Sequence, residues 1–244
     1  MRRLVIAALV AVSVCVVAAT AMAASGNGAS VIYDSTTPNG SPTNQVSLGP
    51  EAYGFRTIGD EITFAGAARS LSNVTVTLSS WACQQGSWYG ENCFTQPGAT
   101  FSQPITLTIW DKDGRNQLAA STQTFDVPYR PSASPKCTGD YAGRWQTPSK
   151  ECKNGITDNV TFNFSHVRLP KTVRYEISYN TSNYGPSPMH VPGPYDSLNV
   201  AITYERPSVG DTAEGMLQDG MPGAPGSEFD TGTPAVQFKA GNAS

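Results

Sequence analysis

Apolar and polar residues alternate along most of this chain with a period of two. In residues 71–78, Val74, Val76 and Leu78 fall on one side, with threonines on the other. Ile105, Leu107 and Ile109 repeat the pattern, as do Val160, Phe162 and Phe164, then Val173, Tyr175, Ile177 and Tyr179. Leu198, Val200, Ile202 and Tyr204 follow, and Val236 with Phe238 closes the series within a last strand at 234–239. Period two is the repeat of a strand that buries one face, and the β-branched and aromatic content of these runs suits a pleated surface. Shorter candidates lie at 31–33, 61–64 and 122–127. After residue 23 no stretch holds a helical apolar spacing for three turns, so the chain reads as all-β.

About nine strands that each hide one face call for two sheets packed together, or a barrel. The connections are uneven: a tight turn at Asp111-Lys112-Asp113-Gly114, but long loops at 80–104, 128–158 and 181–197. Uneven loops favour a two-sheet antiparallel sandwich of Greek-key or jelly-roll type over an up-and-down barrel. Residues 24–244 read as a single β-sandwich domain. Within it, residues 207–233 are rich in Gly, Pro, Asp and Glu and are expected to form a long mobile loop, with a disordered tail as the alternative.

The first 23 residues carry a different signal. Arg2 and Arg3 precede an uncharged apolar run over 4–17, and Ala21-Met22-Ala23 supplies a small–x–small cleavage pattern. This is the layout of a secretory signal peptide cut after Ala23, and the run is short for a membrane span of about 20 residues. The expected product is secreted and extracellular. Processing leaves 14 basic and 19 acidic residues, a net charge of −5. No Lys/Arg cluster stands out along the sequence, which argues against nucleic acid or an anionic membrane as partner.

Four cysteines remain after cleavage, Cys83, Cys93, Cys137 and Cys152. An even count in an exported chain reads as two disulfides with three connectivities, and the spacings favour the two local pairs, Cys83–Cys93 and Cys137–Cys152. Zinc is disfavoured, because neither pair has metal-ligand spacing and His166 and His190 are remote from any cysteine.

Several short runs resemble secreted β-sandwich proteins of actinobacteria and related Gram-positive bacteria, a group without an assigned activity. They are Gly59-Asp60-Glu61-Ile62-Thr63-Phe64-Ala65-Gly66, the 71–83 stretch ending Ser79-Ser80-Trp81-Ala82-Cys83, Val127-Pro128-Tyr129-Arg130-Pro131-Ser132-Ala133, Tyr179-Asn180-Thr181, and Tyr195-Asp196-Ser197-Leu198-Asn199-Val200. The resemblance spans about residues 30–205. It implies an exported sandwich, in some members with a surface-anchoring tail. Residues up to Ser244 show no sortase motif, apolar segment or basic end, so anchorage is not expected.

Candidate chemistry is sparse. Asp60 and Glu61 are adjacent, so on a strand they point to opposite faces. Asp126, Glu176 and Asp196 lie in or near strands, where an exposed sheet face is the default. Nothing fixes the opposed carboxylate pair that glycoside hydrolysis needs, and neither histidine has a nucleophile-elbow context near it. Asp111-Lys112-Asp113-Gly114-Arg115-Asn116 is oxygen-rich but lacks the closing Glu of a calcium loop, and the same residues suit a hairpin turn. No cofactor is expected, with calcium through loop carbonyls left open.

Aromatic loops are the strongest lead: Trp88 and Tyr89 inside the Cys83–Cys93 loop, Trp145 inside the Cys137–Cys152 loop, and Tyr184 and Tyr195 in the 181–197 loop. Aromatic faces stack on sugar rings, and a disulfide holds such a platform ready for binding. The competing reading is that these rings cap the ends of the sandwich. The expectation is a non-catalytic binding module for a cell-surface or environmental glycan. The alternatives are an extracellular hydrolase on a jelly roll, or a structural envelope protein.

Overall fold

A computed structural model describes residues 28–36, 45–181, 198–213, 215–222 and 232–242. The alternating runs become strands. They are β1 (Ser30–Asp34), β2 (Ser47–Leu48), β3 (Thr57–Thr63), β4 (Ser70–Ser80), β5 (Thr100–Asp111) and β6 (Gln117–Pro128). After the short pair β7 (Trp145–Gln146) and β8 (Cys152–Lys153) come β9 (Ile156–Arg168), β10 (Thr172–Ser178) and β11 (Leu198–Thr203). The chain continues through β12 (Asp211–Thr212), β13 (Leu217–Gln218), β14 (Met221–Pro222) and β15 (Thr233–Pro234) to β16 (Val236–Gly241). A single helical turn, α1 (Pro50–Tyr53), stops at Gly54, whose φ of 71° reverses the chain. Among the described residues no helix is long and apolar enough to cross a membrane.

Among the described residues all strand pairings are antiparallel. One sheet runs β1-β16-β4-β9, with β11 continuing beside β4 where β16 ends. The other runs β3-β10-β5-β6. Leaving aside β11, which extends the first sheet beside β4, and the two-residue strands, the strands β1, β3, β4, β5, β6, β9, β10 and β16 numbered in chain order give sheets 1-8-3-6 and 2-7-4-5. Apart from the β5–β6 hairpin, successive strands of this set change layer, and the nested order is that of a jelly roll.

The buried faces meet between the layers. Val74, Val76 and Leu78 of β4 and Val160 and Phe162 of β9 face Ile105, Leu107 and Ile109 of β5 and Val173, Tyr175 and Ile177 of β10. Phe238 is central, its ring 6.1 Å from Tyr33, 5.4 Å from Phe64 and 5.5 Å from Tyr175. Phe125 and Phe162, 5.1 Å apart, join the layers where edge strands β6 and β9 approach.

Inward alternation weakens at a bulge in β9 and stops at the end of β11. A bulge sits where Leu71 and Asn73 oppose Val167 and Asn163, and His166 there takes φ 60°. Phe164, beside the bulge, keeps the inward phase of β9 and packs half-buried against the core. Tyr204 is exposed, one residue past the end of β11.

The described part of 207–222 is paired, where a mobile loop was expected. β12 pairs with Thr63 and Ile62, and β13 with Gly59 and Ile58, so both line the free edge of β3. Met216 and Leu217 are buried there. Asp219 and Gly220 turn the β13–β14 hairpin with φ 50° and 74°, the double positive φ of a two-residue hairpin loop. The Asp219 carboxylate accepts the N–H groups of Arg56 at 2.7 Å and Thr57 at 2.9 Å. Asp219→Ala removes that acceptor and disfavours the left-handed backbone; the expected loss is about 1 kcal/mol, read from urea unfolding.

Candidate functional site

The site is built at one end of the sandwich. Thr100 of β5 pairs with Pro128 of β6, and Ser80 of β4 pairs with Ile156 of β9, so the 81–99 and 129–155 connections leave the sheets at the same end. Arg130 N–H donates to Ala82 O at 2.9 Å, tying one connection to the other. Each connection is closed by its own disulfide, Cys83–Cys93 and Cys137–Cys152, with Cα separations of 5.4 and 5.9 Å. Both favoured pairings are thus present, and disulfides of this kind suit an oxidising compartment.

Inside the first loop, Gln85 and Phe94 exchange backbone hydrogen bonds of 2.9 Å, which makes it a small hairpin. Ser87 N–H donates to Asn92 Oδ1 at 3.0 Å and Gly90 N–H to Ser87 Oγ at 3.0 Å. These bonds hold a row of rings. Trp81 meets Trp88 edge-to-face at 4.9 Å, and Trp88 meets Tyr89 edge-to-face at 5.8 Å. Trp81 lies against the backbone of Gly155, where a Cβ would stand 2.4 Å from its Cδ1, and its indole N–H donates to Ser79 Oγ at 3.2 Å. The row climbs from half-buried Trp81 and Trp88 to Tyr89, which is 70% exposed. Phe94 and Tyr141 are also exposed on this loop assembly, with the Arg144 guanidinium 4.8 Å above the Tyr141 ring.

The structure therefore gathers Trp88 and Tyr89 at one tip. Trp145 is a correction. It is only 7% exposed, and its indole N–H donates to Gly155 O at 2.9 Å, so it closes the end of the core and offers no face to a ligand. Tyr184 and Tyr195 lie outside the described residues, as do His190, Asp196 and residues 1–27 with the expected signal segment. Sequence reading passed over Trp81, which falls just outside the first disulfide loop, and Phe94, Tyr141 and Arg130, whose surroundings depend wholly on tertiary contacts.

The acids separate into distinct roles. Glu61 points outward and pairs with Arg174 at 3.1 Å. Asp126 is exposed and accepts Ser102 Oγ–H at 2.9 Å. Burial raises Glu176 above the usual carboxylate range, opposed by the nearby Trp110 indole and reinforced by the charge of Asp219. Asp219 is itself committed to its hairpin. Asp111 accepts Arg115 N–H at 2.8 Å and Asn116 Nδ2–H at 2.5 Å, and these bonds hold it below its ordinary value; the oxygen-rich segment closes the β5–β6 turn. Among the described residues no cluster of three His, Cys, Asp or Glu has the arrangement of a metal site.

Asp60 is the exception. It lies wholly buried between the layers on β3, directly across from Tyr175 of β10. Its Oδ2 accepts the hydroxyls of Thr212 and of Thr233, the latter at 2.5 Å, while Oδ1 and the Tyr175 hydroxyl have no partner. Burial pushes the Asp60 carboxyl up to about 7, against the pull of the two threonine hydroxyls. Burial, and then the nearness of Asp60, push the Tyr33 hydroxyl up to about 12.

Compared with known families and with curated proteins, the chain matches no family model and no curated sequence.

Proposed function

We propose that this chain is an exported binding module, acting at or outside the cell surface, whose ligand is a glycan held at the disulfide-braced end. The observation that carries the reading is the Trp81–Trp88–Tyr89 row, anchored in the end of the sandwich and emerging as a largely exposed ring. A rigid aromatic surface on a loop braced by a disulfide loses little freedom when a ligand docks, which is the condition for useful affinity from a small contact. Two disulfides and the signal-like N-terminus support export, as does the resemblance to secreted sandwich proteins of Gram-positive bacteria.

A glycan array probed with the processed protein, Trp88→Ala and Tyr89→Ala tests this. Aromatic anchors commonly dominate binding energy, so each variant should lose about tenfold or more in affinity for whatever glycan the native protein retains. Tyr89→Ala should leave stability within about 0.5 kcal/mol, since its ring is mostly in water. An array silent for all three proteins, or variants that bind as well as the native chain, would rule the reading out.

A further inference from the structure

We propose that the free edge of β6 pairs with the same strand of a second copy of this chain, in a two-fold antiparallel dimer. Backbone phase shows which groups are free to do so. Tyr129 N–H donates to Ala99 O at 3.1 Å, and the β5–β6 register continues from that pair through Phe101↔Val127 to Ile109↔Ala119. In an antiparallel ladder every second residue bonds a given neighbour. Ala119, Ser121, Gln123, Phe125 and Val127 therefore bond β5, while the N–H and C=O groups of Ala120, Thr122, Thr124 and Asp126 point away from it. These four residues are exposed, and among the described residues no strand pairs with this side of β6.

β1, β3 and β9, the other outer strands of the two layers, are each blunted. β3 is covered by β12 and β13. β1 is short, and its outward groups are taken: Ile32 O accepts Ala65 N–H at 2.8 Å, Asp34 N–H donates to Val209 O, and Asp34 O accepts Ser208 N–H. β9 is interrupted by its bulge and carries Asp158, His166 and Arg168. β6 has none of these devices. Its register is unbroken from Ala119 to Pro128, and its one charge is Asp126. A long, straight, uncharged edge is a template for another strand. A second copy fits because this strand is complementary to itself. Antiparallel pairing centred on Thr122 sets that threonine against its own copy, a favourable cross-strand contact. The same pairing sends the two Asp126 carboxylates to opposite ends, whereas parallel pairing would set them side by side. It also adds cover to Leu118, Ala119 and Phe125, which are only partly buried beside this edge. An isologous contact of this kind closes on two copies. Because β6 runs into the braced loops at Pro128, the two tips face opposite ways, and on the glycan reading above one dimer bridges two glycan chains.

Analytical ultracentrifugation of the processed, disulfide-intact protein from about 1 to about 500 μM tests the pairing. The native chain should show a monomer–dimer equilibrium, half-dimeric below about 100 μM. Thr122→Pro removes an N–H that β5 does not use, and proline is tolerated where the N–H side of an edge strand faces solvent. That variant should bind its own copy at least about tenfold more weakly. Thr122→Val keeps the N–H and should dimerise like the native protein, which tells a backbone ladder from a side-chain contact. If circular dichroism shows that Thr122→Pro does not fold, Thr124→Lys, which places a charge on the edge, takes its place. A native protein that is monomeric throughout the range overturns the proposal. So does a dimer that survives either variant in folded form. Neither result bears on the glycan reading, which the array decides by itself.

Discussion

Between about pH 4 and pH 7 the native protein should lose about 4 kcal/mol of stability through one buried carboxyl, and Asp60→Asn should flatten that slope. The unfolded chain releases the Asp60 proton near its ordinary value of 3.8, whereas the folded chain holds it up to about 7. Within that window the native state binds a proton that the unfolded state has given up, so raising the pH favours unfolding. The contribution is fully present below 3.8 and gone above about 7. Asparagine cannot ionise, but its amide would place N–H donors where Oδ1 finds no partner, at a cost of about 1–3 kcal/mol. The pH term is the larger of the two. Asp60→Asn should therefore be less stable than the native protein near pH 4 and equal or more stable near pH 8. Urea unfolding of both proteins across this range measures it. Parallel stability curves would mean that Asp60 is not held neutral by burial.

Part of that cluster was readable in advance. Ile58, Asp60 and Ile62 share one phase of β3, so the alternation that placed the isoleucines inward also placed the aspartate inward. Tyr33 and Tyr175 likewise sit on apolar phases of their strands. Thr212 and Thr233 do not, because β12 and β15 are two residues long and cannot display a period. The β13–β14 hairpin had a usable signal in Asp219-Gly220, which composition alone obscured. Alternation held through Phe164, beside the β9 bulge, and failed at Tyr204, where the strand stops.

The tip was legible to a lesser degree. Cysteine spacing located both braced loops, yet nothing in a loop tells which ring faces out: Tyr89 does and Trp145 does not. Arg130 stands in Pro-Tyr-Arg-Pro, a context that predicts an exposed arginine. Only the approach of Ala82 and Gly143 from two other places along the chain, beside its own neighbour Pro131, buries it.

Replacing all four cysteines by serine should cost about 6 kcal/mol and abolish ligand binding while the sheets survive. Each bridge closes a local loop, with sequence separations of 10 and 15, and loops of that size are worth about 3 kcal/mol apiece in the chain-entropy treatment. The long ladders β5–β6 and β4–β9 involve neither bridge, so far-ultraviolet circular dichroism should retain its β signature in mild conditions. The two loops share Arg130 as a common post, so removing one bridge should loosen the other loop as well. The pairwise variants Cys83→Ser/Cys93→Ser and Cys137→Ser/Cys152→Ser should then fail to add up to the fourfold variant. Their fluorescence should differ in kind. Loss of the first bridge frees Trp88, whereas loss of the second wets Trp145, whose indole is sealed against Gly155. If each pairwise variant unfolds within about 1 kcal/mol of the native protein and keeps its tryptophan emission, the rings are held by the sandwich itself. The braced platform on which the binding reading depends would then be absent.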